Sequence, residues 1–304
     1  MGSAFFFVRT EFMHSVLWGL IGALTIGVSD CIARVTAARL PTEFIVLVVM
    51  LVSTIALSIG FAVSGAWPGW HPAAWAYSAV SGVLNIVALQ CLYIALRRGP
   101  VSIASPTASV FSVLIVGMNI VAGAAFTLWQ LVSISLAFIA IISLSRPSAS
   151  AEADLDHDAR WLKVTALIAL AAATAIALRF FLAQEASALV GSVEALYLNR
   201  LFALTAIIVF VLYRLRSVLP ITYPGRRIVV LLMIQSVLET VALGAFLTGS
   251  SGDGRVGAAI GFSAFAAVTV LCARVWLGEA VGWRRAIWIA VIGGAILMAI
   301  LGSP

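Results

Sequence analysis

Val256-Gly257-Ala258-Ala259-Ile260-Gly261-Phe262-Ser263-Ala264 opens the stretch that decides the fold, and the stretch runs on to Leu301. It holds two apolar segments, each long enough to cross a bilayer, which takes about 20 helical residues. The turn Leu277-Gly278-Glu279-Ala280-Val281-Gly282-Trp283-Arg284-Arg285 joins them. Small residues crowd the start of the first segment, and the second carries Gly293-Gly294. Lipid tails are as apolar as leucine, so helices in a membrane associate by close backbone approach, which small residues permit. The hairpin is therefore expected to be two transmembrane helices packed on each other. The rest of the chain repeats its pattern.

Of the 304 residues, 63% are hydrophobic and 10% charged, and the mean hydropathy is +1.14. A soluble domain carries about 25% charged residues, so this chain cannot cover a soluble surface. The expected class is an all-α integral membrane protein. A transmembrane barrel would alternate apolar and polar residues over about ten positions, whereas residues 45–59 run apolar without alternation. The net charge of +6 does not point to nucleic acid. Its arginines sit at the ends of apolar segments, where they act as topological anchors. Cys31, Cys91 and Cys272 fall inside expected spans without CxxC spacing, so they read as packing residues, not as a disulfide or metal set. No cofactor and no metal are expected. In residues 1–13, Phe5-Phe6-Phe7 precedes Arg9 and Glu11, the wrong order for a signal peptide. The first span is expected to serve as a retained insertion signal.

Ten spans are predicted, at about residues 15–33, 44–63, 74–96, 101–121, 124–144, 161–183, 193–213, 227–248, 256–276 and 283–301. Residues 146–160, with Pro147, Glu152, Asp154, Asp156 and Asp158, form the one long polar stretch and read as a linker. It separates a five-helix unit at 1–145 from another at 161–304. Five is odd, so the second unit enters the membrane from the opposite face. That is an inverted repeat, which in secondary transporters places the site near the midplane between the halves. Within the repeats, Ser81-Gly82-Val83-Leu84-Asn85 lies over Ser236-Val237-Leu238-Glu239 with a one-residue gap. Fourteen Arg and Lys residues fall in the turns after odd spans, from Arg34 to Arg285; only Arg9 and Arg255 fall on the other side. This bias predicts a plasma (inner) membrane protein with both termini outside.

Arg200, within Leu198-Asn199-Arg200-Leu201-Phe202, resembles the arginine near the start of the second helix of an EamA-type repeat. Gly278-Glu279, Arg285 and Gly293-Gly294 resemble that repeat's closing pattern, and Leu17-Trp18-Gly19 its opening. The chain thus resembles the ten-helix branch of the drug/metabolite transporter superfamily. In the first half, Met50 stands where the arginine would fall and Ala124 where the glutamate would, and the glycine pair is absent. The family commonly has both termini in the cytoplasm, opposite to the charge bias here. The resemblance implies a secondary transporter or exporter of small metabolites or drugs with a cavity between the halves.

Ionisable residues inside spans cost about 2.5–3.5 kcal/mol each at a helix centre, so they mark cavities or partners. Glu239 lies deepest and has no cation on its own helix face. It reads as a cavity-lining proton carrier or as a hydrogen-bonded structural group. Asp30 shares a face with Arg34 at i,i+4, which makes it an ion-pair member or a binding residue. Arg179 either snorkels to the interface or offers a cation to an anionic group. Arg200, poorly placed for Glu194 on its own helix, reads as a tie between helices. Glu279 reads as a capping or pairing residue in a turn. Asn85, Gln90 and the Ser102, Ser105 and Thr107 group around Pro106 are uncharged candidates, for ligand contact or interhelical bonding. Trp18 is a candidate cavity residue, or a belt or packing residue. His14, His71 and His157 form no cluster, and no nucleophile has a base, so an enzyme is not expected. The expected function is alternating-access export of small, amino-acid-like metabolites or drugs, with lipid around the chain and protons as the candidate coupling ion. The alternative is a membrane binding or scaffold protein that kept the fold without transport.

Overall fold

The structure, a computed structural model, describes residues 2–98, 111–124, 126–145, 159–214, 224–277 and 283–301. Among these residues it is helical, with no strand. The helices are α1 (Gly2–Ala37), α2 (Thr42–Ser64), α3 (Pro72–Arg98), α4 (Phe111–Val121), α5 (Leu128–Ser145), α6 (Ala159–Val190), α7 (Ser192–Tyr213), α8 (Arg226–Gly249), α9 (Arg255–Phe262), α10 (Phe265–Leu277) and α11 (Trp283–Leu301). Seven stretches among the described residues are long and apolar enough to cross a membrane; α5 and α11 are shorter apolar helices. The fourth expected span is described only as α4, because residues 99–110, with Ser102, Ser105, Thr107 and Pro106, lie outside the described residues. So do most of the linker, at 146–158, and the turn with Gly278 and Glu279.

Turn chemistry sets several helix ends. Gly65 closes α2 at φ 69°, and its amide donates to the carbonyl of Phe61, the left-handed cap that glycine adopts without strain. Gly191 at φ 99° turns the chain from α6 straight into α7. The expected ninth span is broken. At Ser263 the backbone amide bonds to both Ala259 and Ile260, and the next amide reaches Gly261, three residues back. The Ser263 hydroxyl donates to the Ile260 carbonyl at 2.6 Å. A hydroxyl competing for a carbonyl inside a helix loosens its ladder, and the span divides there into α9 and α10.

The hairpin packs on itself only slightly: α9 touches α11, but the main neighbours of its two arms are other helices. α9 and α10 lie against α1, and α11 lies against α5. The small face of α9 does what small faces do, but for a different partner. A Cβ on Gly261 would stand 2.3 Å from the Val16 carbonyl oxygen, and one on Gly19 would stand 2.3 Å from that of Ala258. Glycine opposes glycine, and the α1 and α9 backbones touch. Gly293 and Gly294 have nothing within 4 Å of a Cβ position. α11 instead buries the stripe Ile292, Ile296 and Ala299 in a core shared with Ile134 and Ile141 of α5. Small residues allow close approach without choosing the neighbour, which is why the sequence pattern misplaced the partner.

Elsewhere α3 packs on α6 and α7, α2 on α7 and α8, α1 on α8, and α4 on α6. The main core is rich in phenylalanine. Phe180 meets Phe246 edge-on at 4.8 Å between centroids, and Phe262 lies 5.4 Å from Phe180 and 5.2 Å from Phe246. These rings join α6, α8 and α9.

Candidate functional site

Six helices send side chains to one place, five of them from near their midpoints and α1 from its C-terminal end. Thr36 comes from α1, Met50 from α2, Ser81 and Asn85 from α3, Arg179 from α6, Asn199 and Arg200 from α7, and Gln235, Ser236 and Glu239 from α8. Gly82 makes the approach possible: a Cβ there would lie 2.7 Å from the Ala203 nitrogen, so α7 closes directly on α3.

The bonds run as a chain. Asn199 Nδ2 donates to Ser81 Oγ at 2.7 Å, and Ser81 Oγ donates to the Arg179 carbonyl at 2.7 Å. The Arg179 guanidinium donates to Asn85 Oδ1. Arg200 Nη2 donates to the Glu239 carbonyl at 2.8 Å. Gln235 Nε2 donates to Glu239 Oε1 at 3.1 Å, and Thr36 Oγ1 donates to Gln235 Oε1 at 3.3 Å. Ser236 Oγ donates to the Val49 carbonyl at 3.0 Å. An interhelical side-chain bond in a membrane is worth about 0.6 kcal/mol on average. Holding helices together would not require so many polar groups in one place.

Several groups in the cluster lack good partners. Arg200 is 2% exposed, yet its Nε has no acceptor. Its Nη1 meets only the Met50 thioether, at 3.3 Å, and Asn85 Nδ2 meets the same sulfur at 3.9 Å. Asn199 Oδ1 is buried without a donor. Buried polar atoms in native folds are almost always satisfied; of the five exceptions among the described residues, Arg200 Nε and Asn199 Oδ1 fall in the cluster, and Ser29 Oγ, Ser78 Oγ and Asn119 Oδ1 lie outside it. Among the described charges, Arg179 interacts with Arg200 and Glu239, and Arg200 with Glu239.

A cavity of about 470 Å³ lies beyond the cluster. It is lined by Tyr77, Ala122, Gly123, Ala124, Phe181, Leu182, Glu185, Gly252, Asp253 and Arg255. On α6, Glu185 is six residues past Arg179, about 9 Å along the axis. Tyr77 is one turn before Ser81 on α3. The cavity therefore begins one to two turns from the cluster. Glu185 and Arg255 form an ion pair at its side. Next to it, Asn119 Nδ2 donates to Gln184 Oε1 at 3.0 Å, and Gln184 Nε2 donates to Ser250 Oγ at 2.9 Å, linking α4, α6 and the end of α8.

Four of the expected site residues meet: Glu239, Arg179, Asn85 and Arg200. Arg200 joins α7 to α8 through the Glu239 backbone carbonyl. The cations missing from the Glu239 helix face come from α6 and α7. The other three stand apart. Trp18 donates from Nε1 to His14 at 3.1 Å and packs its Cβ against Gly249, outside cluster and cavity. Gln90 is half-buried farther along α3 and has no hydrogen bond to the cluster. Asp30 is half-buried on α1 and is not among the charged neighbours of either guanidinium. Sequence reasoning passed over Asn199, although it stands beside Arg200 in the quoted motif. It also passed over Gln235, Thr36 and the Glu185–Arg255 pair; Glu185, at the end of α6, gave a signal as a carboxylate bordering a span.

No curated protein matches the chain. A solved crystal structure superposes with a TM-score of 0.78 at 15% identity, covering 95% of this chain and 97% of that one, and so shares the fold. The model of the EamA-like transporter family matches residues 13–146. That match falls on the half where Met50 and Ala124 replace the expected residues, while most of the resembling motifs lie in the other half. Residues 13–146, a little under half of the chain, are thus similar to the EamA-like transporter family of the drug/metabolite transporter superfamily.

Proposed function

We propose that the protein is a secondary active transporter that exports small, amino-acid-like metabolites or drugs by alternating access around the six-helix polar cluster. The observation that carries this reading is the buried cluster itself, with unpaired polar atoms and a cavity one to two helical turns away. An inverted five-plus-five plan, 1–145 and 161–304 about a linker at 146–160, is supported by an exchange of packing partners. α3 packs on α6 as α8 packs on α1; α3 packs on α7 as α8 packs on α2; α4 packs on α6 as α9 and α10 pack on α1. α2 with α7 and α5 with α11 are pairs that such a two-fold maps onto themselves. Met50 and Arg200, aligned by the repeat, meet there. With the cytoplasm assigned from the arginine bias, the cavity opens outward and the termini lie outside.

Flux in proteoliposomes tests the proposal. The purified protein should exchange a labelled solute across the bilayer in counterflow, and Arg200→Gln should abolish exchange while the protein remains monodisperse. A folded parent that binds solute and never exchanges it is the scaffold alternative.

Glu239 is the one carboxylate among the described residues of the cluster, which makes it the candidate proton carrier. Intramembrane acids of this kind mark proton paths. Glu239→Gln keeps the shape and removes the ionisable group. It should lose uptake driven by a pH gradient and keep passive counterflow. Gradient-driven uptake at the parental rate would assign Glu239 to structure and move the search to Asp30.

A further inference from the structure

The poorly satisfied donors of the cluster are not scattered; they converge on one side chain. Arg200 Nη1 and Asn85 Nδ2 both point at the Met50 sulfur, at 3.3 and 3.9 Å. Arg200 Nε has no acceptor at all in a side chain that is 2% exposed. A thioether is a weak acceptor, and methionine is the most adaptable filler of irregular gaps. Met50 itself is 1% exposed. The charge count points the same way. Among the described charges of the cluster, two guanidiniums face one carboxylate, Glu239. One positive charge is left over in a place where charges are costly.

We propose that the Met50 thioether occupies the seat of a carboxylate group, which Arg200 and Asn85 ligate once Met50 swings aside. A carboxylate accepts from several donors at once and makes charge-assisted bonds that sulfur cannot. A single negative charge balances the cluster. The class of ligand is therefore a monoanionic carboxylate; calling it the transported solute rests on the transporter reading above.

The test uses the full-length protein in detergent, at constant ionic strength. Thermal unfolding is followed with sodium propionate, with propionamide and with methyl phosphate. Propionate raises the melting temperature, propionamide leaves it unchanged, and the dianion acts more weakly than propionate. Arg200→Gln weakens the propionate effect at least about tenfold, and Met50→Leu, which replaces the thioether with a hydrocarbon of similar volume, retains it. Met50→Glu supplies the carboxylate on a tether. It melts above the parent and no longer responds to propionate, because the seat is filled. A Met50→Glu protein that melts lower or fails to fold, as an unligated buried carboxylate would dictate, overturns the proposal. So does an equal response to acid and amide, or a stronger response to methyl phosphate. Proteoliposome flux separates this from the transporter reading. Propionate binding without exchange of any carboxylate sinks transport and leaves the seat; exchange with no preference for carboxylates sinks the seat and leaves transport.

Discussion

Gly261→Ala is expected to leave little monodisperse protein on size exclusion, while Gly293→Ala elutes and melts like the parent. The two changes add the same methyl group to glycines of similar apolar helices. At Gly261 that methyl would stand 2.3 Å from the Val16 carbonyl oxygen and 3.0 Å from the Leu20 nitrogen. Both are backbone atoms of α1, so no rotamer change relieves the clash and the helices must separate. Overpacking of this kind costs about 1–3 kcal/mol where side chains can give way, and here none can. α1 also packs on α8, which carries Glu239, so the displacement reaches the cluster. At Gly293 nothing lies within 4 Å. Equal tolerance of the two substitutions would remove close α1–α9 approach as the organising contact.

The second large effect is expected at Met50. Met50→Arg restores the arginine that the repeat pattern places there and should nonetheless collapse the folded yield. It sets a third guanidinium against one carboxylate, at a helix centre where each charge costs about 2.5–3.5 kcal/mol. The double variant Met50→Arg with Arg200→Met returns the charge count to its starting value. If the two positions are related by the repeat, the exchanged pair refills the same space and most of the folded yield returns, along with the melting temperature. A double variant no better than Met50→Arg alone would mean that the positions are neighbours without being equivalents.

The class, seven of the expected spans and four members of the cluster were legible in the sequence, the last because an ionisable residue in an apolar span is conspicuous. Glu239, Arg179 and Arg200 stood out by insertion cost alone. Their meeting was not legible, since it depends on which helices are neighbours. Asn199, Gln235 and Thr36 carry little insertion cost and left no comparable signal, although they complete the bonds. For Trp18 the sequence left cavity and packing open, and its Cβ lies beside Gly249. The hairpin failed for a related reason. Gly257 and Gly261 announced a close contact, but the partner was α1, with Phe12 and Ser15 against Gly257 and Val16 and Gly19 against Gly261, more than two hundred residues away in sequence. The break at Ser263 was hidden because a serine in an apolar helix is ordinary until its hydroxyl takes a backbone carbonyl.

Access to the cluster from both sides of the membrane is the property on which transport depends. Ser81 is fully buried within the cluster and tolerates a change as small as serine to cysteine. In a background with Cys31, Cys91 and Cys272 replaced by alanine, Ser81→Cys is exposed to an impermeant thiol reagent in right-side-out and in inside-out vesicles. Cysteines at Gly252 and Arg226 report the outer and inner faces. Alternating access predicts modification of Ser81→Cys in both preparations, with Gly252→Cys modified only in the first and Arg226→Cys only in the second. Modification of Ser81→Cys from one side only, or from neither, would contradict it.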